Sequence, residues 1–123
     1  MFDWHEYLVF ATNILAAPPE PPEAAWRAAA SRAYYAAHHK SREAIERRHG
    51  AEIHRDGVHA EVIRRLQERP ETEATGLKLD RLRGKRAHAD YNSTRAFLVS
   101  DAEIAVQLAG EVIELLRVSG EDR

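Results

Sequence analysis

The chain has 123 residues, enough for one domain around a single core of modest size. Hydrophobic residues make up 44% and charged residues 31%, with a formal net charge of -2, so the composition excludes a disordered chain and leaves any affinity for nucleic acid to uneven placement of charge. The absence of cysteine excludes disulfides and thiolate metal sites.

No apolar run approaches the roughly 18 residues of a membrane span. The start, Met1-Phe2-Asp3-Trp4-His5-Glu6, has no basic segment followed by an apolar one. No signal peptide is therefore expected, and the cytoplasm is the default location. A first helix is expected over Leu8 to Ala17, with Asp3 as an N-cap for an earlier start. Pro18, Pro19, Pro21 and Pro22 stop it and form a stiff connector.

Glu23 opens the longest helix, expected to reach about Arg48, with Pro22 suited to its first turn and Gly50 closing it. Trp26, Ala30, Ala33, Tyr34, Ala37, Ser41, Ala44 and Ile45 recur at three- and four-residue steps and mark a buried stripe. Its many alanines predict close approach of a neighbouring helix. His38 and His39 are adjacent, hence about 100° apart on a helix, and cannot hold a metal together. His5, His54 and His59 have no ligand spacing and no H-E-x-x-H occurs, so neither a metal nor another cofactor is expected.

A loop through Ile53-His54-Arg55-Asp56-Gly57 leads to a third helix, Val58 to Glu68, with Val58, Val62, Ile63 and Leu66 as its apolar face. Pro70 ends it. Thr72 is the expected N-cap of a fourth helix, Glu73 to Tyr91, anchored by Leu77, Leu79 and Leu82. Gly76 and Gly84 each weaken that helix by roughly 1 kcal/mol relative to alanine, and a bend is expected at Gly84. Asn92 to Val99 reads as a loop. Ser100-Asp101-Ala102-Glu103 reads as a capping box, with Val99 and Ile104 stapled across it. In the last helix Ile104, Leu108, Val112 and Leu115 form the expected stripe, flanked by Leu116, and Gly120 ends it. No stretch alternates as a strand does. The expected fold is all-α, an up-and-down bundle of four to five helices forming one domain over residues 1–123.

Charge concentrates in Arg81-Leu82-Arg83-Gly84-Lys85-Arg86-Ala87-His88-Ala89-Asp90-Tyr91. All of the 18 basic residues except Lys40, Lys78 and Lys85 are arginine, the side chain suited to bidentate phosphate contact. Cationic donors bind phosphate, and imidazole exchanges a proton near neutral pH. Metal-free RNA cleavage needs a base for the 2′-OH, an acid for the leaving 5′-oxygen and positive charge at the phosphorane. His88 is the candidate proton-transfer group, and Arg83 with Arg81, Lys85 and Arg86 the candidate phosphate contacts. A solvated basic face is the plainer alternative, with Arg83 paired to Asp80 and Arg86 to Asp90. Tyr34 and Tyr91 stand as supporting aromatics for core or dimer contact. On an ideal helix Arg83 and His88 lie roughly 140° apart, so a bend at Gly84 or a two-fold axis is needed to bring them together.

Ser31-Arg32-Ala33-Tyr34-Tyr35-Ala36-Ala37-His38 and Arg86-Ala87-His88-Ala89-Asp90-Tyr91, with Gly57-Val58-His59 opening the helix between them, resemble the HEPN superfamily. More narrowly, the chain is similar from about Ala24 to Arg117 to short stand-alone prokaryotic HEPN proteins with S-R-A-Y-Y-A and R-x-x-A-D-Y. The resemblance implies a metal-independent, toxin-like endoribonuclease with an R-x4-H signature at Arg83 and His88, sited in the composite cleft of a homodimer. It also implies a nucleotidyltransferase-type antitoxin as partner. The alternative it offers is a non-catalytic module that binds such a partner or RNA. Two departures stand out: Gly84 follows Arg83 where Asn, Asp or His is common, and the arginine that recurs in the short subfamily matches Arg86.

Overall fold

The structure, a computed structural model, describes residues 1–50, 52–53 and 57–120. The expected loop positions His54, Arg55 and Asp56 lie outside the described residues, as do Ala51 and the last three residues. The chain forms α1 (His5–Ala16), α2 (Pro22–His49), α3 (Val58–Gln67), α4 (Glu73–Tyr91) and α5 (Val99–Val118), with no strand among the described residues. It is an all-α helical bundle. No helix among the described residues is long and apolar enough to cross a membrane.

α2 is the hub and packs against all four other helices. Its sequence explains this: Ala25, Ala29, Ala30, Ala33, Ala36, Ala37 and Ala44 are all buried, on more than one flank. A helix apolar on several sides must be covered on several sides, and alanine lets neighbours come near without a cavity. Gly50 closes α2 in the left-handed region, at φ 69°, and donates its N–H to Glu46 O. On the same side of the molecule Asp3 accepts from the His5 N–H at 3.0 Å and pairs with Lys40, while the Trp4 ring stacks on His39 at 3.7 Å. These contacts fasten the start of α1 to α2.

The structure corrects several expectations about phase and capping. α5 begins at Val99, not Ser100: Leu98 takes the N-cap position and the Asp101 carboxylate, not Glu103, accepts its N–H at 2.9 Å. Val99 and Ile104 remain exposed and so are not a buried staple. The buried set of α5 is Ala102, Ala105, Leu108, Ala109, Val112 and Leu116, so the stripe is rotated away from Ile104 and Leu115. Small alanines face the alanine-rich surface of α2, and hydropathy weights the larger isoleucine instead. On α4 the buried positions are Thr75, Gly76, Leu79, Leu82, Arg86 and Ala89. Leu77, about 200° from Leu79 on the helix, is 54% exposed. Thr72 does not cap α4 with its side chain; its hydroxyl donates to Leu66 O at 2.6 Å and closes the end of α3. α4 runs uninterrupted through Gly84.

Candidate functional site

The two motif segments meet where α2 crosses α4. Ser31 donates its hydroxyl to Asp90 Oδ2 at 3.2 Å, and the same oxygen lies 3.7 Å from Arg86 Nη1. The Arg86 guanidinium carbon sits 5.0 Å from the ring centre of Tyr34, 5.6 Å from that of Tyr35 and 5.7 Å from that of Tyr91. Its Nη1 also reaches the Tyr91 hydroxyl at 3.5 Å. Helical spacing arranges this: Arg86 and Asp90 are one turn apart on α4, while Ser31, Tyr34 and Tyr35 face them from one turn of α2. The i,i+4 pairing of Arg86 with Asp90, one of the plainer alternatives, is present.

α3 adds an imidazole to this cluster. The Tyr34 hydroxyl and His59 Nδ1 share a short hydrogen bond, and the His59 ring stacks on His38 with centres 4.2 Å apart. His38 in turn stacks on Tyr34. Arg86 is only 8% exposed, and its Nε, like His38 Nδ1, is buried without a hydrogen-bond partner among the described residues. A guanidinium taken out of water is costly unless its surroundings compensate, and here three ring faces and one carboxylate do so.

The surroundings bias Tyr34 and three histidines towards neutrality. Burial pushes the Tyr34 phenol up to about 12, against the pull of Arg86 and Arg83. Burial first, then His59, His39, Arg42 and Arg86, pushes His38 down to about 3. His59 is lowered by burial and then by Arg86 and Arg83; His39 is lowered by burial and then by Arg42.

The candidates from the basic stretch divide among several surroundings. Arg83 is half-buried beside the α3–α4 groove, lined also by Ala60, Ile63, Arg64, Gln67 and Asp80, and its charge acts on Tyr34 and His59. Lys85 is paired with Asp101 at 2.8 Å. Arg81 is exposed and its charge acts on Glu111 of α5. Tyr34 is fully buried, and Tyr91 is 77% exposed. His88 points elsewhere: its ring meets Phe97 edge-on at 5.0 Å, and its two nitrogens lie 3.4 Å from the Arg95 backbone carbonyl and guanidinium. Within one chain Arg83 and His88 serve different surroundings, as their helical separation requires.

Sequence reasoning overlooked two residues. In the sequence His59 carries no ligand spacing and stands only within the Gly57-Val58-His59 segment; the packing of α3 against α2 joins it through Tyr34 to the Arg86 cluster. Arg27 closes the end of α4: its Nη1 donates to His88 O, Ala89 O and Asn92 O, and its Nη2 to Arg95 O, all within 3.1 Å. Glu23 accepts from Arg27 Nε and from the Phe97 N–H, completing the corner. No sequence signal marks such a contact, since it spans more than sixty positions. Among the described residues no three His, Asp or Glu side chains gather as metal ligands.

Fold and site together define a small all-helical bundle with a cationic, aromatic-lined face on α2, α3 and α4. No protein-family model, no curated protein and no solved structure matches the chain.

Proposed function

We propose that this protein is a HEPN-type module that binds RNA, with the phosphate backbone contacted at Arg83 and held over the Arg86 cluster. The observation that carries the reading is the meeting of Ser31 and Tyr34 with Arg86, Asp90 and Tyr91, the residues through which the chain resembles that superfamily. A buried guanidinium and a half-buried one, flanked by an exposed tyrosine, match the needs of a single strand: positive charge for phosphate and an aromatic face for a base. The test is anisotropy of a labelled single-stranded RNA across a salt series. The expected outcome is affinity that falls steeply with salt, with Arg83→Gln weakening binding and lowering the slope by about one. Binding that ignores both salt and Arg83 would overturn the reading.

A second reading adds metal-independent, toxin-like cleavage by a homodimer with His88 as proton-transfer group. It is favoured by the outer face of α4, where exposed Gly84 and Ala87 lie between exposed Leu77 and Tyr91 and leave room for a second copy. It predicts RNA cleavage in EDTA that is lost in His88→Ala and in Arg83→Gln while the dimer persists. If instead the protein is a non-catalytic module for a nucleotidyltransferase-type partner, neither substitution alters partner affinity and wild-type protein leaves RNA intact.

A further inference from the structure

His88 and Arg95 meet at the corner between α4 and α5. His88 Nε2 lies 3.4 Å from the Arg95 carbonyl oxygen, and His88 Nδ1 lies 3.4 Å from Arg95 Nη2. A carbonyl only accepts and a guanidinium only donates. Both contacts therefore ask for one arrangement of the ring, with its hydrogen on Nε2 and a lone pair on Nδ1. The backbone of Arg95 is fixed as well. Asn92 Oδ1 accepts from the Arg95 N–H at 3.2 Å and from the Thr94 N–H and hydroxyl, while Arg27 Nη2 donates to the Arg95 carbonyl at 3.0 Å.

The side chain of Arg95 is held far more loosely than its backbone. It is exposed, and its one side-chain partner among the described residues is His88 Nδ1. Arg27, by contrast, spends its donors on four carbonyls, and Arg86 is buried against three rings. A contact of 3.4 Å to an uncharged nitrogen is at the weak end of hydrogen bonding. A guanidinium–phosphate bond carries charge on both sides, is about 2.7–2.9 Å long and can be made through two parallel N–H groups. The guanidinium thus has a weak resting place, and an anionic oxygen outcompetes His88 for it.

We propose that Arg95 is a phosphate contact of this protein, resting against His88 Nδ1 until a phosphate oxygen takes its guanidinium and leaves the Nδ1 lone pair open. The inference rests on the RNA reading for the source of that phosphate. It deepens that reading by setting a phosphate beside His88 within one chain, where Arg83 serves different surroundings. Arg95 touches the ligand; His88 parks the guanidinium and registers its departure. Only hydrogen bonds are exchanged, and no covalent step is involved.

The test uses the intact protein labelled with nitrogen-15 in histidine, held at one pH above the ordinary imidazole range. It is titrated in parallel with inorganic phosphate and with a single-stranded RNA oligonucleotide. Before either is added, the His88 ring should carry its hydrogen on Nε2 only. Either ligand should then move the His88 Nδ1 resonance, and in Arg95→Ala neither should. That substitution keeps the backbone contacts of residue 95, so the fold should persist while RNA binding weakens about tenfold and its salt slope falls by about one. A ring protonated at Nδ1, or an Nδ1 resonance that both ligands leave in place, overturns the inference in unsubstituted protein, so it does not depend on a variant folding. RNA binding that depends on salt and on Arg83 but not on Arg95 would sink the inference alone. An Arg95-dependent response to phosphate without RNA binding would sink the RNA reading alone.

Discussion

Arg86 shows how a surface-type residue becomes part of a core. A helix face carrying Arg86 four positions before Asp90 reads as a solvated ion pair, yet the guanidinium is buried under Tyr34, Tyr35 and Tyr91. Removing one partner of a buried pair costs about 3–5 kcal/mol; Asp90 is more than a quarter exposed and keeps Ser31. Arg86→Ala should therefore lose about 2–3 kcal/mol in urea unfolding, and Arg86→Lys should recover little, because an ammonium lacks the flat face that stacks on rings. Arg27 is the second such residue. Arg27→Ala removes a donor from the carbonyls of His88, Ala89, Asn92 and Arg95, of which His88 O keeps the Asn92 N–H, and should lower stability by about 2 kcal/mol while increasing amide exchange in the last turn of α4. His38 sets an acid limit. In the unfolded chain it takes a proton near its ordinary 6.5, but in the folded protein not until about pH 3. Between those values the unfolded state binds the extra proton, so stability is full above about pH 6.5 and falls by up to about 1.4 kcal/mol per pH unit on acidification. His59, His39, Arg42 and Arg86 face the ring and all oppose its charging. His38→Leu should flatten the slope in a pH series of urea midpoints.

At the scale of elements, α4 separates two glycines that look alike in sequence. A Cβ on Gly76 would stand 2.6 Å from Gln67 Cγ, 3.1 Å from Leu66 Cβ and 3.2 Å from the Gln67 nitrogen. Gly76 is thus where the end of α3 meets α4, and Gly76→Ala should cost about 1–3 kcal/mol. A Cβ on Gly84 would meet nothing within 4 Å, so Gly84→Ala should raise stability by about 0.5–1 kcal/mol in thermal unfolding. The bounds of α4 were legible from Pro70 before it and from Leu79 and Leu82 within it, although the third expected anchor, Leu77, is exposed and Ala89 is buried instead. The phase of α5 was less legible. Ala102, Ala105 and Ala109 carry little hydropathy, yet they fill the interface with an alanine-rich partner better than Ile104 would.

At the scale of the whole molecule, α2 lies in contact with every other helix, so its motif residues are seen from several sides at once. Ser31 and Tyr34 look to α4, His38 and Tyr34 to α3, and His39 to the start of α1. The homodimer proposal belongs here. If the outer face of α4 receives a second copy, Leu77→Glu should shift sedimentation towards monomer, and Gly84→Ala should weaken the dimer while strengthening the isolated fold. A single species unaffected by Leu77→Glu would place any dimer contact elsewhere.

Periodicity, the prolines and Gly50 in the one-dimensional chain were sufficient to determine an all-helical build, five elements and most of their ends, because these depend on neighbours within four or five positions. They also determined that Arg83 and His88 leave α4 in different directions, since helical geometry alone requires it. Only the tertiary structure decided which imidazole stands beside the arginines, why Thr72 serves α3 instead of α4, and where Arg27 spends its donors. Those outcomes depend on distances between residues tens of positions apart, set by how closely alanine-lined helices pack, and no local pattern encodes that packing.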